Sequence, residues 1–127
     1  MKLIIDTSIL IDNLRGGTAF DNILDAIERD NAELLLPTVV LFELYSGRST
    51  QNKSITDKIS KLLKHFQRIQ LTESIAIRAG VLFRDMSKQL GAADYIIAAS
   101  ALETGGEVVT LNRKHFEQIP QLHLYQF

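Results

Sequence analysis

Short apolar runs alternate along this chain with longer stretches whose apolar positions recur every three or four residues. Leu3, Ile4 and Ile5 form the first run and stop abruptly at Asp6, Thr7 and Ser8, the pattern of a buried strand with a polar triplet at its carboxyl end. Ile9, Leu10 and Leu14 predict a short helix, stopped by Gly16 and Gly17. Thr18, with Asp21 three residues on, predicts a helix start of the capping-box type, and Phe20, Ile23, Leu24 and Ile27 give that helix one core face. Leu34, Leu35 and Leu36 make a second buried strand, after which Thr38 is expected to cap a helix over 39–45 that Gly47 closes. Ile55, Ile59, Leu62, Leu63 and Phe66 predict a further helix with its lysines on the opposite face. Residues 68–71 are a candidate third strand. Thr72 then opens a helix with Ile75, Ala79, Leu82, Phe83, Met86 and Leu90 as its core face, broken by Gly91. A nearly all-apolar, hence buried, helix over 93–102 ends at Gly105 and Gly106. Val108, Val109 and Thr110 are a fourth strand and 122–125 a candidate fifth.

Short apolar strands alternating with helices imply a parallel sheet covered on both faces. In such folds ligands bind beyond the carboxyl ends of the strands, near the point where strand order reverses. Polar residues that directly follow strands therefore carry the functional information.

Several acids stand out against this pattern. Asp6 directly follows a buried strand, where a charge is costly unless it is paired or faces a cleft; a turn or helix-cap role is the mundane alternative. Glu43 is the single acid in the apolar run Val39, Val40, Leu41, Phe42, Glu43, Leu44, Tyr45, and competes only with a solvent-facing slot on that helix. Asp94 repeats the pattern near the start of the buried helix, where an N-cap or a favourable contact with the helix dipole is the alternative. Asn112 follows the fourth strand as Asp6 follows the first, and would otherwise be an ordinary turn asparagine. Three carboxylates gathered at one point would repel one another. A hard cation such as Mg²⁺ or Mn²⁺ relieves that repulsion, and oxygen ligands suit it. Such a cluster supports phosphodiester hydrolysis: a bound metal lowers the pKa of its water and neutralises phosphoryl charge, with a second metal roughly 3.5–4 Å away able to stabilise the leaving oxygen.

Composition narrows the field. The 127 residues fit one domain, spanning 1–127, and the 46% hydrophobic and 23% charged residues are those of an ordinary globular chain. With no cysteine, disulfides, thiolate metal sites and cysteine nucleophiles are excluded. No apolar run approaches the roughly 20 residues of a membrane span, and Asp6 interrupts an opening run too short for a signal-peptide core, so a cytoplasmic protein with no membrane partner is expected. The net charge of −1 does not announce a nucleic-acid binder, but residues 48–68 are locally basic, with Arg48, Lys53, Lys58, Lys61, Lys64 and Arg68 against only Asp57.

Four segments together strongly resemble a PIN domain of the VapC toxin type: Leu3 to Ser8 around Asp6, Pro37 to Leu44 around Glu43, Ala93 to Glu103 around Asp94, and Val109 to Phe116 around Asn112. The resemblance covers essentially the whole chain in order, and its first and third segments are the most specific. It implies a three-layer α/β/α sandwich with a four- or five-stranded parallel sheet, and Mg²⁺- or Mn²⁺-dependent endoribonuclease activity. Carried over residue by residue, Asp6, Glu43 and Asp94 match the metal-binding catalytic acids, and Thr7, Ser8 and Thr110 match supporting hydroxyls. Asn112 stands where many PIN domains carry a fourth Asp; being neutral, it implies one firmly held metal, with any second brought by substrate. The resemblance also implies a homodimer and a cognate antitoxin that occupies the site.

The basic stretch is a candidate wall along which Arg48, Lys53, Lys58, Lys61 and Lys64 would track RNA phosphates, with a solvated helix face as the alternative. Arg113 and Lys114 are further candidates. His115 reads as a surface turn residue that could touch substrate. Two rival readings differ in class. A degenerate PIN-like module would bind RNA or protein without cutting, which loss of an acid would favour; all three acids are present. A signalling receiver domain needs a phosphate-accepting Asp after the third strand, where Leu71, Thr72 and Glu73 offer none.

Overall fold

Leu3, Ile4 and Ile5 are completely buried although successive residues of a strand point to opposite faces, so both faces of the strand they form are covered. The computed structural model of the chain describes residues 1–86 and 89–127. Its strands β1 (Lys2–Ile5), β2 (Glu33–Pro37), β3 (Gln67–Ile69) and β4 (Glu107–Val109) all pair in parallel, in the order β3-β2-β1-β4. Around the sheet run α1 (Thr7–Leu14), α2 (Ala19–Asp30), α3 (Thr38–Tyr45), a 3-10 turn at Arg48–Gln51, α4 (Lys53–Leu63), α5 (Glu73–Asp85), α6 (Ala92–Thr104) and α7 (Arg113–Phe116), giving the α/β/α layering. Among the described residues no helix is long and apolar enough to cross a membrane.

Two features of this topology create the site. The first three strands step outward in one direction and β4 adds on the other side of β1, so the strand order reverses between β1 and β4. Ile5 pairs with Val109 across that reversal, and the Asp6 N–H continues the ladder to the Val109 carbonyl at 3.0 Å. Asp6 and Thr110 therefore emerge side by side at the mouth of the crevice. The second feature is the close passage of the α6–β4 turn over β1. A Cβ on Gly106 would lie 2.9 Å from the Ile4 side chain, so only glycine lets β4 enter this register without displacing the core. Helix α6 is the buried wall behind the crevice: Tyr95, Ile97, Ala98, Ala99, Ser100 and Ala101 are inaccessible, and the Ser100 hydroxyl is satisfied by donating to the Ile96 carbonyl at 2.7 Å.

Local details depart from expectation for identifiable reasons. The side chain of Thr18 makes no capping bond; the Asp12 carboxylate reaches across instead and accepts from the Ala19 N–H at 3.2 Å. A Cβ on Gly17 would run into that carboxylate, so the glycine pair clears the path as well as ending α1. Thr38 is the first residue of α3, with Pro37 at the cap position, whereas Thr72 caps α5 as expected through the Ile75 N–H at 3.3 Å. The third strand is 67–69, and Leu71 beyond it is half exposed. Helix α5 stops at Asp85, so Leu90 is core without being helical; the expected continuation through Ser87 and Lys88 lies outside the described residues. Of the candidate fifth strand only a parallel bridge forms, Val108 with Leu124.

Candidate active site

Asp6 is 3% exposed, a charge at the end of a central strand that must be stabilised by partners. Two hydroxyls supply them. Ser8, in the first turn of α1, and Thr110, just past β4, each donate to Oδ2 of Asp6 at 2.7 Å. Both hydroxyls are themselves fixed by the loop after β4: the Leu111 N–H donates to Ser8 Oγ at 3.0 Å, and the Asn112 N–H donates to Thr110 Oγ1 at 2.9 Å. Among the described residues no donor reaches Oδ1, yet no buried polar atom is left unsatisfied, so this oxygen faces the pocket that Asp6 lines.

Glu43 arrives from the neighbouring strand. Because β2 lies beside β1, the helix that follows it, α3, packs against α1 and brings the Glu43 carboxylate to the Thr7 hydroxyl, which donates to Oε1 at 2.6 Å. Asp94 stands in the first turn of α6, three residues past the cap position Gly91. It is not an N-cap, and its Oδ2 lies 4.0 Å from Nδ1 of His115 on α7. Burial raises the pKa of Glu43 above the ordinary glutamate value; Asp6 and Asp94 add to the rise, and the Thr7 hydrogen bond opposes it. Burial likewise raises Asp94, reinforced by Asp6 and opposed by His115 and the Gly91 backbone. Asp94 and Glu43 thus each sense the charge of Asp6.

Asp6, Glu43 and Asp94 line one pocket of about 560 Å³, together with Thr7, Ser8, Asn112 and others. The donor set is all oxygen, which suits a hard divalent cation and not a soft one. Among the described residues no three histidine or carboxylate side chains form a ready-made metal-holding group, so the acids share a pocket without converging on a point. Burial first, and the charges of the neighbouring acids after it, disfavour the ionised forms of Glu43 and Asp94, and a cation between the acids would offset that cost.

A family model for the PIN domain matches residues 3–122. The chain belongs to the PIN-domain family. Ribonuclease VapC19 of Mycobacterium tuberculosis is 32% identical to it over 126 residues, 96% of this chain and 97% of the relative. Its fold is similar to VapBC2 from Rickettsia felis, solved bound to a DNA fragment from the promoter (TM-score 0.85, 23% identity, 100% of this chain and 99% of that one). It is also similar to a toxin–antitoxin complex from Klebsiella pneumoniae (TM-score 0.77, 25% identity, 98% and 99%).

This PIN domain gathers some of the residues singled out in the sequence and disperses others. The acids, their hydroxyls and Asn112 meet at the pocket. Arg113 and Lys114 line an adjoining depression that shares Leu111 and Asn112 with it. Arg113 also donates to the Tyr125 carbonyl at 3.2 Å. Lys58 and Lys61 line a separate depression with Phe20 and His65 that has no lining residue in common with the acidic pocket. Arg48, Lys53 and Lys64 are exposed, and Arg68 is occupied structurally, donating to the Leu63 carbonyl at the end of α4 and the Phe66 carbonyl beyond it. Sequence reasoning missed Ile11, Asp12, Arg15, Phe42, Ser46 and Leu111, which also line the pocket. The signal was there in part: Ile11 and Arg15 recur at helical spacing from Thr7, and Phe42 and Ser46 flank Glu43 on its helix.

Proposed function

We propose that this PIN domain is a divalent-metal-dependent endoribonuclease and the toxin of a toxin–antitoxin pair. The observation that carries the reading is the meeting of Asp6, Glu43 and Asp94 in one pocket at the strand-order reversal, with Asp6 fixed by two hydroxyls. The names of the similar ribonuclease and of the toxin–antitoxin complex support it. Asp6 through Oδ1, Glu43 and Asp94 would hold Mg²⁺ or Mn²⁺, with Asn112 as a neutral contact to a further water. The bound ion would acidify a water for attack and neutralise charge on the phosphoryl oxygens. Ser8 and Thr110 keep Asp6 in one orientation, and Thr7 does the same for Glu43. Arg113 and Lys114 would contact RNA phosphates beside the pocket. The same reading has the protein act in the cytoplasm, where it would meet RNA.

The same reading includes a homodimer and an antitoxin partner. An apolar groove of about 300 Å³ between α5 and α6, lined by Leu71, Phe83, Tyr95 and Ile96, lies on the helix whose Ile77 and Val81 are 61% and 39% exposed. A second copy is the proposed occupant. Ile77→Glu is expected to shift the protein to monomer in sedimentation, leaving its fold intact.

The deciding experiment incubates the protein, freed of any bound partner, with labelled structured RNAs in Mg²⁺, in Mn²⁺ and in EDTA, beside Asp6→Ala and Asp94→Ala. Cleavage that needs metal and disappears in both variants supports the nuclease. A folded protein that cuts no RNA under either metal turns the reading toward a binding-only module. Variants that cut as well as the parent remove the acids from the mechanism.

A further inference from the structure

The loop between β4 and α7, residues 110–112, fixes the two hydroxyls that hold Asp6, and both of its ends are tied to the segment 123–125. Before the loop, Val108 of β4 accepts from the Tyr125 N–H at 2.9 Å and donates to the His123 carbonyl at 3.0 Å, while Val109 turns the other way and accepts from Asp6. After the loop, Nη1 of Arg113 donates to the Tyr125 carbonyl at 3.2 Å, back across 12 positions of sequence. Tyr125 is itself anchored: it is 6% exposed, and its hydroxyl donates to Oδ2 of Asp30, the last residue of α2, at 2.8 Å. The Arg113 side chain is 34% exposed, with Nε 3.8 Å from Oε1 of Glu117, whereas its neighbour Lys114 is exposed.

A surface ion pair such as the one with Glu117 contributes little, but a bond from a charged donor to a main-chain carbonyl that is already held in place fixes the donor's own backbone. We propose that Arg113 is a positioning residue for Asp6: it closes the 110–112 loop against the 123–125 segment, and so keeps the Leu111 and Asn112 N–H groups on Ser8 Oγ and Thr110 Oγ1. Its consequence for catalysis rests on the nuclease reading. Both hydroxyls donate to Oδ2 of Asp6, so a loop that swings away frees them to turn, and the carboxylate with them. Phe116 is fully buried in α7 and keeps that helix on the core without help, so the arginine acts on the loop and not on the fold as a whole. A guanidinium has five N–H donors, and those not spent on Tyr125 remain for a phosphate. The two roles differ in what they change: a phosphate contact alters affinity and its dependence on salt, whereas a positioning bond alters turnover.

Arg113→Ala and Arg113→Lys test this in two ways, with and without turnover. In EDTA, amide hydrogen exchange is followed residue by residue. Arg113→Ala is expected to speed exchange at Leu111 and Asn112 about tenfold, with the amides of β1 and β2 within about twofold of the parent protein. In Mn²⁺, the same variant should lower kcat for RNA cleavage about 10–100-fold and leave the dependence of KM on salt unchanged. Arg113→Lys keeps a charged donor on a long stem and should recover most of the exchange protection and of kcat. Exchange at Leu111 and Asn112 that does not change in Arg113→Ala overturns the proposal. So does acceleration spread equally over the core strands, which assigns the arginine to global stability. An unchanged kcat with a KM that loses part of its salt dependence also overturns it, leaving Arg113 as a phosphate contact alone. If the parent protein cuts no RNA, the exchange result still decides: local acceleration sustains the tie between Arg113 and the loop and refutes the nuclease alone, and its absence refutes both.

Discussion

Asp6 and Asp94 face the same pocket and are held in opposite ways. Asp6 follows a central strand, is 3% exposed, and has its Oδ2 fixed by the Ser8 and Thr110 hydroxyls. Asp94 stands on a helix, its side chain is 22% exposed, and its Oδ2 lies 4.0 Å from Nδ1 of the His115 ring. Glu43 is intermediate, with the Thr7 hydroxyl on one oxygen. One acid is placed by the sheet before any ligand arrives, and two hang from helices with room to adjust. That division explains how the acids share a pocket without forming a ready-made metal group.

Removing either aspartate breaks the comparison hardest. Asp6→Ala and Asp94→Ala are both expected to reduce RNA cleavage by more than the roughly 100-fold upper end of outer-shell changes at metal sites. Their stabilities separate them. Asp6→Ala leaves the buried Thr110 hydroxyl and the half-buried Ser8 hydroxyl with only their 3.3 Å contact to each other in place of the carboxylate, and should cost about 1–3 kcal/mol in denaturant melts. Asp94→Ala removes a carboxyl that burial disfavours and should cost nothing. Equal stability losses in the two variants would mean that the hydroxyl bonds do not distinguish the acids.

A smaller perturbation reaches the anchor alone. Thr110→Val keeps the shape of the side chain but removes one bond to Asp6 and strands the Asn112 N–H. Cleavage should fall about 10–100-fold, with metal affinity falling alongside it, while Thr110→Ser recovers most of both. A Val variant with full activity would show that Ser8 suffices to orient Asp6.

How far the site was legible in the sequence follows the same division. Asp6 was legible because the strand before it is uniformly aliphatic and the charge breaks the run. Glu43 was legible because it is the one acid of its apolar helix, and Asp94 because it is the one acid in the apolar run that opens its helix. The strands and helices of the core followed from periodicity, since burial on both faces leaves no other pattern for short strands. What the sequence hid depended on distance along the chain. Nothing local in Asp12 says that it, and not Thr18, caps α2, because its carboxylate crosses the glycine turn to do so. The basic stretch pointed to RNA by charge alone, yet Lys58 and Lys61 line a depression apart from the acids, and Arg68 spends its guanidinium on the end of α4. Phe42 looked like one more core residue of an apolar helix, because its exposure is set by how α3 packs between α1 and α6.

The gentlest test sharpens the contrast through pH. The folded-state pKa values of Glu43 and Asp94 are raised, by burial first and then by neighbouring acids, so folding favours their protonated forms. The stability each contributes is fully present below its ordinary value, 4.5 for Glu43 and 3.8 for Asp94, and is lost as pH rises through the raised folded value. Ionising them carries that cost. Glu43→Gln keeps an oxygen to accept from Thr7, and both Glu43→Gln and Asp94→Asn delete the charge. Each should therefore stabilise the metal-free protein at pH 7 by about 0.5–1 kcal/mol, a figure held down by partial solvent screening. The gain should shrink to nothing as pH falls below the ordinary carboxylate values, where the parent acids are neutral as well. Mn²⁺ should reverse the ranking, raising the melting temperature of the parent protein above that of either amide variant, since a ligand that binds only the folded state stabilises it. Amide variants no more stable than the parent at pH 7 would show that the acids do not repel one another, and would remove the reason for a cation between them.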